Sequence, residues 1–286
     1  MLQFSISENY VPDNMKIARV KPVFKKNSNL DVGNYRPVSI LSIVSKILEK
    51  SVYSQLEKFL IDNNLLYELQ SGFRNSYSTD TCLIHLMDHI RNNSAKGLYT
   101  GMIMLDLQKA FDTVDHQILC KKLEIMGVTN TEWFMSYLTG RQQTVSVNNV
   151  FSDYNTVNCG VPQGSILGPL LFLCYVNDMT ISISSECKLI LYADDSAILF
   201  SHTDPNYISS KLGTVLESCS SWLVDNKLSL HLGKTECVMF GSKRKLKKVK
   251  DFKILCNGHT IEPSKSVKYL GLSIDNCLSG ETIVNS

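Results

Sequence analysis

Two adjacent aspartates, Asp194 and Asp195, separate two short apolar segments of this chain, residues 189–192 and 197–200. Apolar segments of this length, joined by a short polar connection, predict two antiparallel strands and a hairpin. The strongly apolar arms indicate that the hairpin belongs to a sheet, with the two acids at its tip. Because Asp is also a common turn residue, the pair taken alone fits a solvated turn better than a functional site.

A third aspartate changes that interpretation. Asp106 directly follows a predicted buried strand at residues 102–105 and precedes a predicted helix. A carboxylate at the end of a central strand, beside a hairpin that carries two more, is the arrangement that two-metal phosphoryl transfer requires. Mg²⁺ prefers oxygen ligands and keeps water and substrate phosphates as the remaining ones. The sequence therefore permits a site for two Mg²⁺ ions, with Mn²⁺ as an alternative.

The spacing of apolar residues predicts an α+β fold whose strands pair around one central sheet. Helices are expected at residues 38–60, 80–90, 114–126, 165–179 and 209–226. Strands are expected at residues 18–24, 102–105, 144–150, 189–192, 197–200, 236–240, 252–255 and 268–274.

Charge and cysteine usage restrict the class of protein. Residues 51–230 carry more acids than cations, whereas both flanks are basic, which suits a metal centre surrounded by a bound polyanion. Ordinary fluctuation of charge along a chain explains the pattern equally well. The nine cysteines are scattered without a CxxC motif, which argues against structural zinc and disulfides and favours an intracellular compartment, nuclear or cytoplasmic. No apolar stretch near the middle of the chain is long enough for a bilayer, so no membrane partner is expected.

Seven segments, in this order, resemble the motifs of the reverse transcriptase domain of non-LTR (LINE-type, jockey-like) retrotransposons, from about residue 16 to residue 275. A lone YADD is weak evidence of such a family, but all seven motifs at workable spacings are very specific. The segments are NYRPVSILSIVSKILEK (34–50) and QSGFRNSYSTD (70–80) in the fingers, LDLQKAFDTVDH (105–116, motif A), GVPQGSILGPLLF (160–172, motif B), YADD (192–195, motif C), NKLSLHLGKT (226–235, motif D) and VKYLGLSID (267–275, motif E).

The resemblance implies the fingers and palm of a right-hand polymerase, with an antiparallel palm sheet and packed helices. Partial fingers and the start of the palm would occupy residues 1–100, and the palm with motifs A to E would occupy residues 101–275. Residues 276–286 would be a tail leading towards the thumb. No segment of the sequence resembles the thumb, the endonuclease or the other regions of a full element. We therefore expect a fragment or a truncated reading frame.

The same resemblance implies roles in metal binding and proton transfer. Asp106 and Asp194 would bind both ions, and Asp195 would support them. Lys234 would protonate the leaving pyrophosphate, although a surface lysine is almost as good an explanation. His231 stands where this family usually has Asn, which puts the geometry around Lys234 in question.

Further roles concern the nucleotide. Phe111 would be the aromatic gate that excludes a ribose 2′-hydroxyl, with an ordinary core aromatic as the alternative. Gln163 and Gly164 would lie under the nucleotide and template, where glycine lets the backbone come close. Lys25 and Arg36 would grip the incoming triphosphate, unless Lys25 is simply a solvated loop cation.

The primer is the last substrate that the resemblance assigns to residues. Tyr269, Leu270 and Gly271 would form the hairpin that holds the primer end. As a whole, the resemblance implies an RNA-directed DNA polymerase that joins dNTPs to a DNA primer 3′-hydroxyl on an RNA template. The oligomeric state is left open.

Three other classes of protein share some of these features. The alternative is a non-catalytic RNA-binding remnant of the same fold, maturase-like or from a truncated element. An aspartic protease lacks its D-T/S-G signature here, and a viral RNA polymerase usually has GDD where this chain has Ala193 before the acids. The basic run at residues 243–250 fits phosphate contacts, a nuclear targeting signal or a solvated turn.

Overall fold

The computed structural model describes residues 2–25 and 28–280, which divide into two units, each built from two separated stretches of chain. Unit 1 comprises Met1–Leu66 and Lys109–Val176, and unit 2 comprises Tyr67–Gln108 and Asn177–Ser286. The boundaries expected at residues 100 and 275 are not boundaries of these units. The assignment of fingers and palm to residue ranges stays a prediction.

Helices and strands are interspersed along the described chain. The helices are α1 (Leu2–Ser7), α2 (Ile43–Asp62), α3 (Thr79–Ala95), α4 (His116–Ile125), α5 (Thr131–Leu138), α6 (Gly168–Val176), α7 (Pro205–Asp225) and α8 (Lys243–Leu246). The strands are β1 (Ile17–Phe24), β2 (Tyr35–Ile40), β3 (Tyr99–Leu105), β4 (Arg141–Val147), β5 (Val150–Phe151), β6 (Asn155–Val157), β7 (Lys188–Tyr192), β8 (Asp195–His202), β9 (Glu236–Phe240), β10 (Ile254–Cys256), β11 (His259–Ile261), β12 (Ser266–Tyr269) and β13 (Leu272–Asp275).

Unit 1 contains a sheet in the order β2-β1-β4-β5, with β6 beside β4. The helix expected from residue 38 is wrong at its start, because residues 38–40 belong to β2. Pro37 lacks an N–H and disfavours helical backbone before it, which suits an edge strand. The helix α2 begins after Ser42, whose hydroxyl accepts a hydrogen bond from the Ser45 N–H at 3.1 Å.

Unit 2 contains an antiparallel sheet in the order β7-β8-β3-β9. One face of this sheet packs against α3 and the β12–β13 hairpin in a hydrophobic core that includes Leu86 and Met102. The opposite face lies against α7, where Gly101 leaves room for Ile208 and Leu212. The expectation of one central sheet is therefore wrong, since the strands of residues 2–25 and 28–280 form two larger sheets and two hairpins.

The chain turns back on itself at residues 270 and 271, where the sequence predicted one continuous strand. The strand expected at residues 268–274 is two strands, β12 and β13, which pair from Ser266 opposite Asp275 to Tyr269 opposite Leu272. Leu270 and Gly271 connect them with φ of 48° and 86°, the double positive φ of a tight hairpin turn. Apolar periodicity alone did not reveal this turn.

Most of the other expected elements are confirmed, with ends displaced by a few residues. They include the hairpin around the two aspartates and the helices at residues 80–90, 114–126 and 209–226. The helix expected at 165–179 is shorter, since α6 covers only its centre. No helix within residues 2–25 and 28–280 combines the length and apolarity needed to cross a membrane.

Candidate active site

The three predicted metal ligands lie at one edge of the four-stranded sheet of unit 2. Leu105, the last residue of β3, pairs with Ser196 of β8, and Asp106 follows directly. Asp195 begins β8, and Asp194 lies at the tip of the β7–β8 hairpin. Asp106 and Asp194 are half-buried, whereas Asp195 is exposed. Strand pairing therefore brings the three aspartates to the same edge, an arrangement that the sequence permits and the resemblance implies.

The tip of this hairpin is held by the segment that precedes α3. The side-chain oxygen of buried Gln70 accepts hydrogen bonds from the backbone N–H groups of Ala193 at 3.0 Å and Gly72 at 2.9 Å. The backbone of Ser71 donates to Leu191 at 2.9 Å. Ala193 has a φ of 57°, a conformation that a non-glycine residue rarely adopts without support. Gln70 thus stabilises the strained backbone beside Asp194.

Gly72 is required by the closeness of this contact. A Cβ atom at Gly72 would lie 2.4 Å from the Ala193 nitrogen and 2.9 Å from the Tyr192 carbonyl carbon. Both neighbours are backbone atoms, so a side chain cannot be accommodated without moving the hairpin. Gln70 and Gly72 both lie in the QSGFR segment of the second fingers motif, but nothing in the sequence pattern indicates this supporting role.

Tyr269 lies beneath the acidic edge rather than at the surface. Its side chain is 3% exposed, and its hydroxyl lies 3.4 Å from the Asp195 carbonyl oxygen and 3.6 Å from the Cys82 sulfur. Burial raises the pKa of the Tyr269 hydroxyl. The hairpin expected for the primer end exists, with Leu270 and Gly271 at its tip, and its role in holding a primer stays a prediction.

The motif D segment runs beside the chain that follows Asp106. The backbone N–H of His231 donates to the Asp106 carbonyl oxygen at 2.8 Å, and Gln108 donates to Ser229 at 2.9 Å. Lys234 is exposed, three residues beyond His231. Because His231 makes this contact through its backbone, the replacement of the usual Asn leaves the link to Asp106 intact.

In unit 1, the ring of Phe111 stacks on the buried ring of Phe172, with centroids 4.3 Å apart and an interplanar angle of 23°. Phe111 itself is half-buried, and its carbonyl accepts a hydrogen bond from Val161 at 2.8 Å. The packing expected of a core aromatic is present on one face of the ring, and the role of Phe111 as a gate stays a prediction. One side of the ring is packed, which fixes the orientation of the remainder.

Both predicted site residues of the motif B loop, Gln163 and Gly164, contact other segments of unit 1. The Gln163 side-chain amide donates to the Asp112 carboxylate at 2.8 Å, and the Ser39 N–H donates to the Gln163 carbonyl at 2.6 Å. Gly164 has a φ of 107°, and a Cβ there would lie 2.7 Å from the Ser39 carbonyl oxygen. The loop therefore has backbone that only glycine can adopt, held next to β2.

A buried carboxylate supports the same loop. Glu49 accepts hydrogen bonds from the Tyr137 hydroxyl at 2.9 Å and from the Ile166 N–H at 2.6 Å. Burial raises the pKa of the Glu49 carboxyl, against the opposing effect of these hydrogen bonds and of the Arg141 charge. Arg141 is itself buried and donates to the Tyr137 carbonyl at 3.0 Å. This network could not be predicted from the sequence, because the spacing of Glu49 and Arg141 gives no sign that they are buried.

The two predicted triphosphate-binding cations lie on the β1–β2 ribbon of unit 1. Arg36 pairs with Val23, and the Lys25 N–H donates to the Asn34 carbonyl at 2.8 Å. Alternation along the ribbon places Lys25 and Arg36 on one face, and both side chains are exposed. Their role in binding the triphosphate stays a prediction.

Comparison with known proteins decides the family. The family model described as "Reverse transcriptase (RNA-dependent DNA polymerase)" matches residues 23–274. The chain belongs to the reverse transcriptase family. The matched segment includes all of the predicted site residues described above.

Curated relatives of this reverse transcriptase-family chain are proteins of mobile elements. It is 28% identical over 278 residues to the probable RNA-directed DNA polymerase from transposon BS of Drosophila melanogaster. It is equally similar, over 279 residues, to the RNA-directed DNA polymerase from mobile element jockey of Drosophila funebris. Each match covers 94% of this chain but only 30% of the relative. The expected likeness to jockey-like reverse transcriptases is confirmed.

Solved structures show the same fold. The apo telomerase from Candida tropicalis, truncated from its C-terminal domain, aligns with a TM-score of 0.60 at 13% identity. The alignment covers 94% of this chain and 55% of that one. A similarity at this identity supports the α+β polymerase fold and no more.

The metal-binding role of the acidic edge depends on how many of its side chains could contact one ion. Within residues 2–25 and 28–280, no group of three or more His, Cys, Asp or Glu side chains is arranged to hold an ion. The assignment of Asp106, Asp194 and Asp195 as metal ligands stays a prediction.

Proposed function

We propose that this chain is the polymerase part of a non-LTR retrotransposon protein and acts as an RNA-directed DNA polymerase. The reaction is attack of a DNA primer 3′-hydroxyl on the α-phosphate of a dNTP, with RNA as the template. The observation that carries the proposal is the strand register that brings Asp106 and the Asp194–Asp195 pair to one sheet edge. The family match over residues 23–274 and the polymerase names of the relatives support it.

The donor set at this edge fits magnesium. Its side chains are carboxylates, the hard oxygen ligands that Mg²⁺ prefers, and Mg²⁺ sites in polymerases use one or two carboxylates plus substrate phosphates. Asp106 and Asp194 would hold two Mg²⁺ ions, with Asp195 in support, and Mn²⁺ could substitute. When bound, the ions increase the acidity of the primer 3′-hydroxyl and neutralise charge on the phosphates.

The chain's own contribution is to hold these carboxylates in place before substrate binds. Gln70 fixes the backbone beside Asp194, and His231 fixes the carbonyl of Asp106. Groups that are already oriented need no reorganisation during the reaction, and in phosphoryl transfer positioning and electrostatics supply most of the acceleration.

Other side chains would bind and select the nucleotide. Lys25 and Arg36 would bind the triphosphate, Arg through its forked donors. Phe111 would exclude a 2′-hydroxyl, because its ring is held by Phe172 and cannot easily move aside. The Gln163–Gly164 loop would lie under the base pair.

The remaining roles concern the leaving group and the primer. Lys234 would donate a proton to the leaving pyrophosphate, since its exposed ammonium carries three donor N–H groups. Leu270 and Gly271 would contact the primer end from the tip of the β12–β13 hairpin. All nine cysteines are free thiols, which suits a reducing intracellular compartment, nuclear or cytoplasmic.

Primer extension by the purified 286-residue chain tests the proposal. The assay uses a DNA primer on an RNA template, dNTPs and either Mg²⁺ or Mn²⁺. The test variant is Asp194→Asn, which removes a carboxylate charge at nearly constant shape. The matched control is Asp88→Asn, an exposed aspartate on α3 of the same unit.

We expect metal-dependent extension that is lost in Asp194→Asn and kept in Asp88→Asn. Extension that survives in Asp194→Asn would overturn the assignment of the acidic edge. If the wild-type chain binds the primer–template but extends nothing with either metal, the polymerase proposal is wrong for this chain. The non-catalytic RNA-binding remnant then replaces it.

A further inference from the structure

A second charged surface lies at the other end of the unit 2 sheet. The helix α8 and the turns after it follow β9, and five of their side chains are exposed cations. Residues 237–250 contain no Asp or Glu. We define the basic patch by these five exposed residues: Lys243, Arg244, Lys247, Lys248 and Lys250.

The basic patch is fastened to the sheet by the one cation of the run that turns inward. The Lys245 ammonium donates to the Gly97 carbonyl and lies 5.1 Å from the centre of the Tyr99 ring. The Tyr99 hydroxyl in turn donates to the Lys245 carbonyl at 3.2 Å. The Ser242 side chain caps α8 by accepting from the Lys245 N–H. Cations on a fixed surface lose less side-chain and backbone freedom on binding a ligand than those on a loose tail.

The basic patch is remote from the acidic edge. Tyr99 is the first residue of β3, and Asp106 directly follows its last. A strand rises about 3.3 Å per residue, so that the two ends of β3 are about 20 Å apart. Nucleotide addition at the acids therefore requires no contact with the basic patch.

We propose that the basic patch is a phosphate-binding surface for nucleic acid, separate from the catalytic edge. Five cations within eight residues match the dense negative charge of a nucleic-acid backbone, and lysines contact phosphates as point charges without reading bases. The surface would add affinity that is independent of sequence. It goes beyond the proposed polymerase activity, which needs the acids and not this patch.

The dependence of binding on salt tests this proposal. Fluorescence anisotropy with a labelled RNA–DNA duplex, between 50 and 200 mM salt and without dNTPs or divalent metal, measures the dissociation constant. The test variant is Lys247→Gln with Lys248→Gln. The matched control is Lys58→Gln with Lys121→Gln, which removes the same charge at two exposed lysines of unit 1 that pair with acids on their own helices.

Each phosphate contact contributes about 0.9 to the slope of log affinity against log salt for a duplex. We therefore expect the test variant to lower the slope by about 1.8 and to raise the Kd at 0.1 M salt by about tenfold or more. The control should leave both unchanged. Equal effects in the two variants, or none in either, would overturn the proposal.

A second arm with single-stranded RNA of the same length identifies the source of the phosphates. A larger loss with the duplex indicates the template–primer, and a larger loss with the single strand indicates unpaired RNA. Unchanged binding together with lost nuclear accumulation of the test variant in cells would overturn the proposal in favour of a protein partner. Because no nucleotide addition is measured, a chain without polymerase activity would leave this test intact.

Discussion

The side-chain amide of Gln163 donates to the carboxylate of Asp112 across 2.8 Å, and so joins the motif B loop to the residue that follows Phe111. The Gln163 backbone is bound at the same time to Ser39 of β2. Gln163 is therefore held from two sides. This link gives the loop one position next to the proposed nucleotide gate.

The first prediction concerns variants that exchange the donor and acceptor of the Gln163–Asp112 hydrogen bond. Gln163→Glu places two carboxylates together, and we expect kcat/KM for dNTPs to fall by about tenfold or more, since like charges in contact repel. Adding Asp112→Asn restores a donor–acceptor pair of opposite direction and should recover most of the loss. Steady-state extension kinetics of both variants measure it. A double variant no better than Gln163→Glu would contradict the role of this hydrogen bond.

Gly72 provides a second prediction. Gly72→Ala places a methyl group 2.4 Å from the Ala193 nitrogen, so the tip that carries Asp194 must move. We expect kcat to fall by about a hundredfold, because displacements near 1 Å are costly in catalysis. The control is Gly33→Ala, whose nearest neighbour is the flexible Asp31 side chain at 3.2 Å. Equal extension by the two variants would show that the hairpin tip tolerates displacement.

The acidic edge was predictable because its signal is local. A strand that ends in Asp106 and a hairpin that carries Asp194 and Asp195 are both visible as apolar segments interrupted by acids. That these elements are neighbours came only from the resemblance to a family, since strand order depends on contacts distant in sequence. The division into two sheets was missed for the same reason.

The supporting residues were less predictable. Gln70 and Glu49 look like ordinary polar residues in the sequence, and their importance comes from burial beside backbone groups of other segments. The start of α2 was misplaced because residues 38–40 have helical apolar spacing but pair with β1 as a strand. Tertiary pairing overrides local periodicity in such a case.

His89 on α3 provides a prediction about acid stability. Burial, followed by the charges of Lys188 and Lys96, lowers the pKa of its ring to about 4. A lowered pKa means that the unfolded state binds the proton more readily than the folded state. The unfolding free energy is therefore highest above pH 6.5, where the ring is neutral in both states, and falls as the pH drops towards 4. With allowance for solvent screening, the loss is about 1–2 kcal/mol. Urea unfolding of wild type and His89→Gln between pH 7.5 and 4.5 measures it.

We expect the difference in unfolding free energy between wild type and His89→Gln to narrow as the pH falls, because only the wild type loses the contribution of a neutral ring. His85→Gln, one turn earlier on α3, serves as the control. The prediction fails if the gap stays constant over this range.

Phe111 provides a prediction about sugar selectivity. Phe111→Val removes the ring that is proposed to exclude the 2′-hydroxyl, and we expect the ratio of kcat/KM for dNTP to that for rNTP to fall by about tenfold or more. Loss of the stacking on Phe172 should also cost about 1–3 kcal/mol of stability. Phe59→Val, on α2 of the same unit, controls for a destabilising truncation. A selectivity unchanged by Phe111→Val would make the residue a packing aromatic alone.

The buried Glu49 provides the last prediction. Removing its carboxylate in Glu49→Ala leaves the Tyr137 hydroxyl and the Ile166 N–H without their acceptor and the buried Arg141 without the opposing charge, and we expect a loss of about 3–5 kcal/mol in unfolding free energy. Glu49→Gln keeps an oxygen acceptor and the side-chain shape, and should cost less. Because Ile166 belongs to motif B, Glu49→Gln should also raise the KM for dNTPs.

The pH dependence separates the charge of Glu49 from its shape. The raised pKa means that the folded state holds this proton more tightly than the unfolded state. The wild type therefore loses stability as the pH rises from about 4.5 through the raised pKa, and stays level above it. Glu49→Gln lacks this loss, so its stability relative to wild type should improve between pH 5 and pH 8 in urea unfolding. A difference that does not depend on pH would show that the Glu49 proton is held equally in both states.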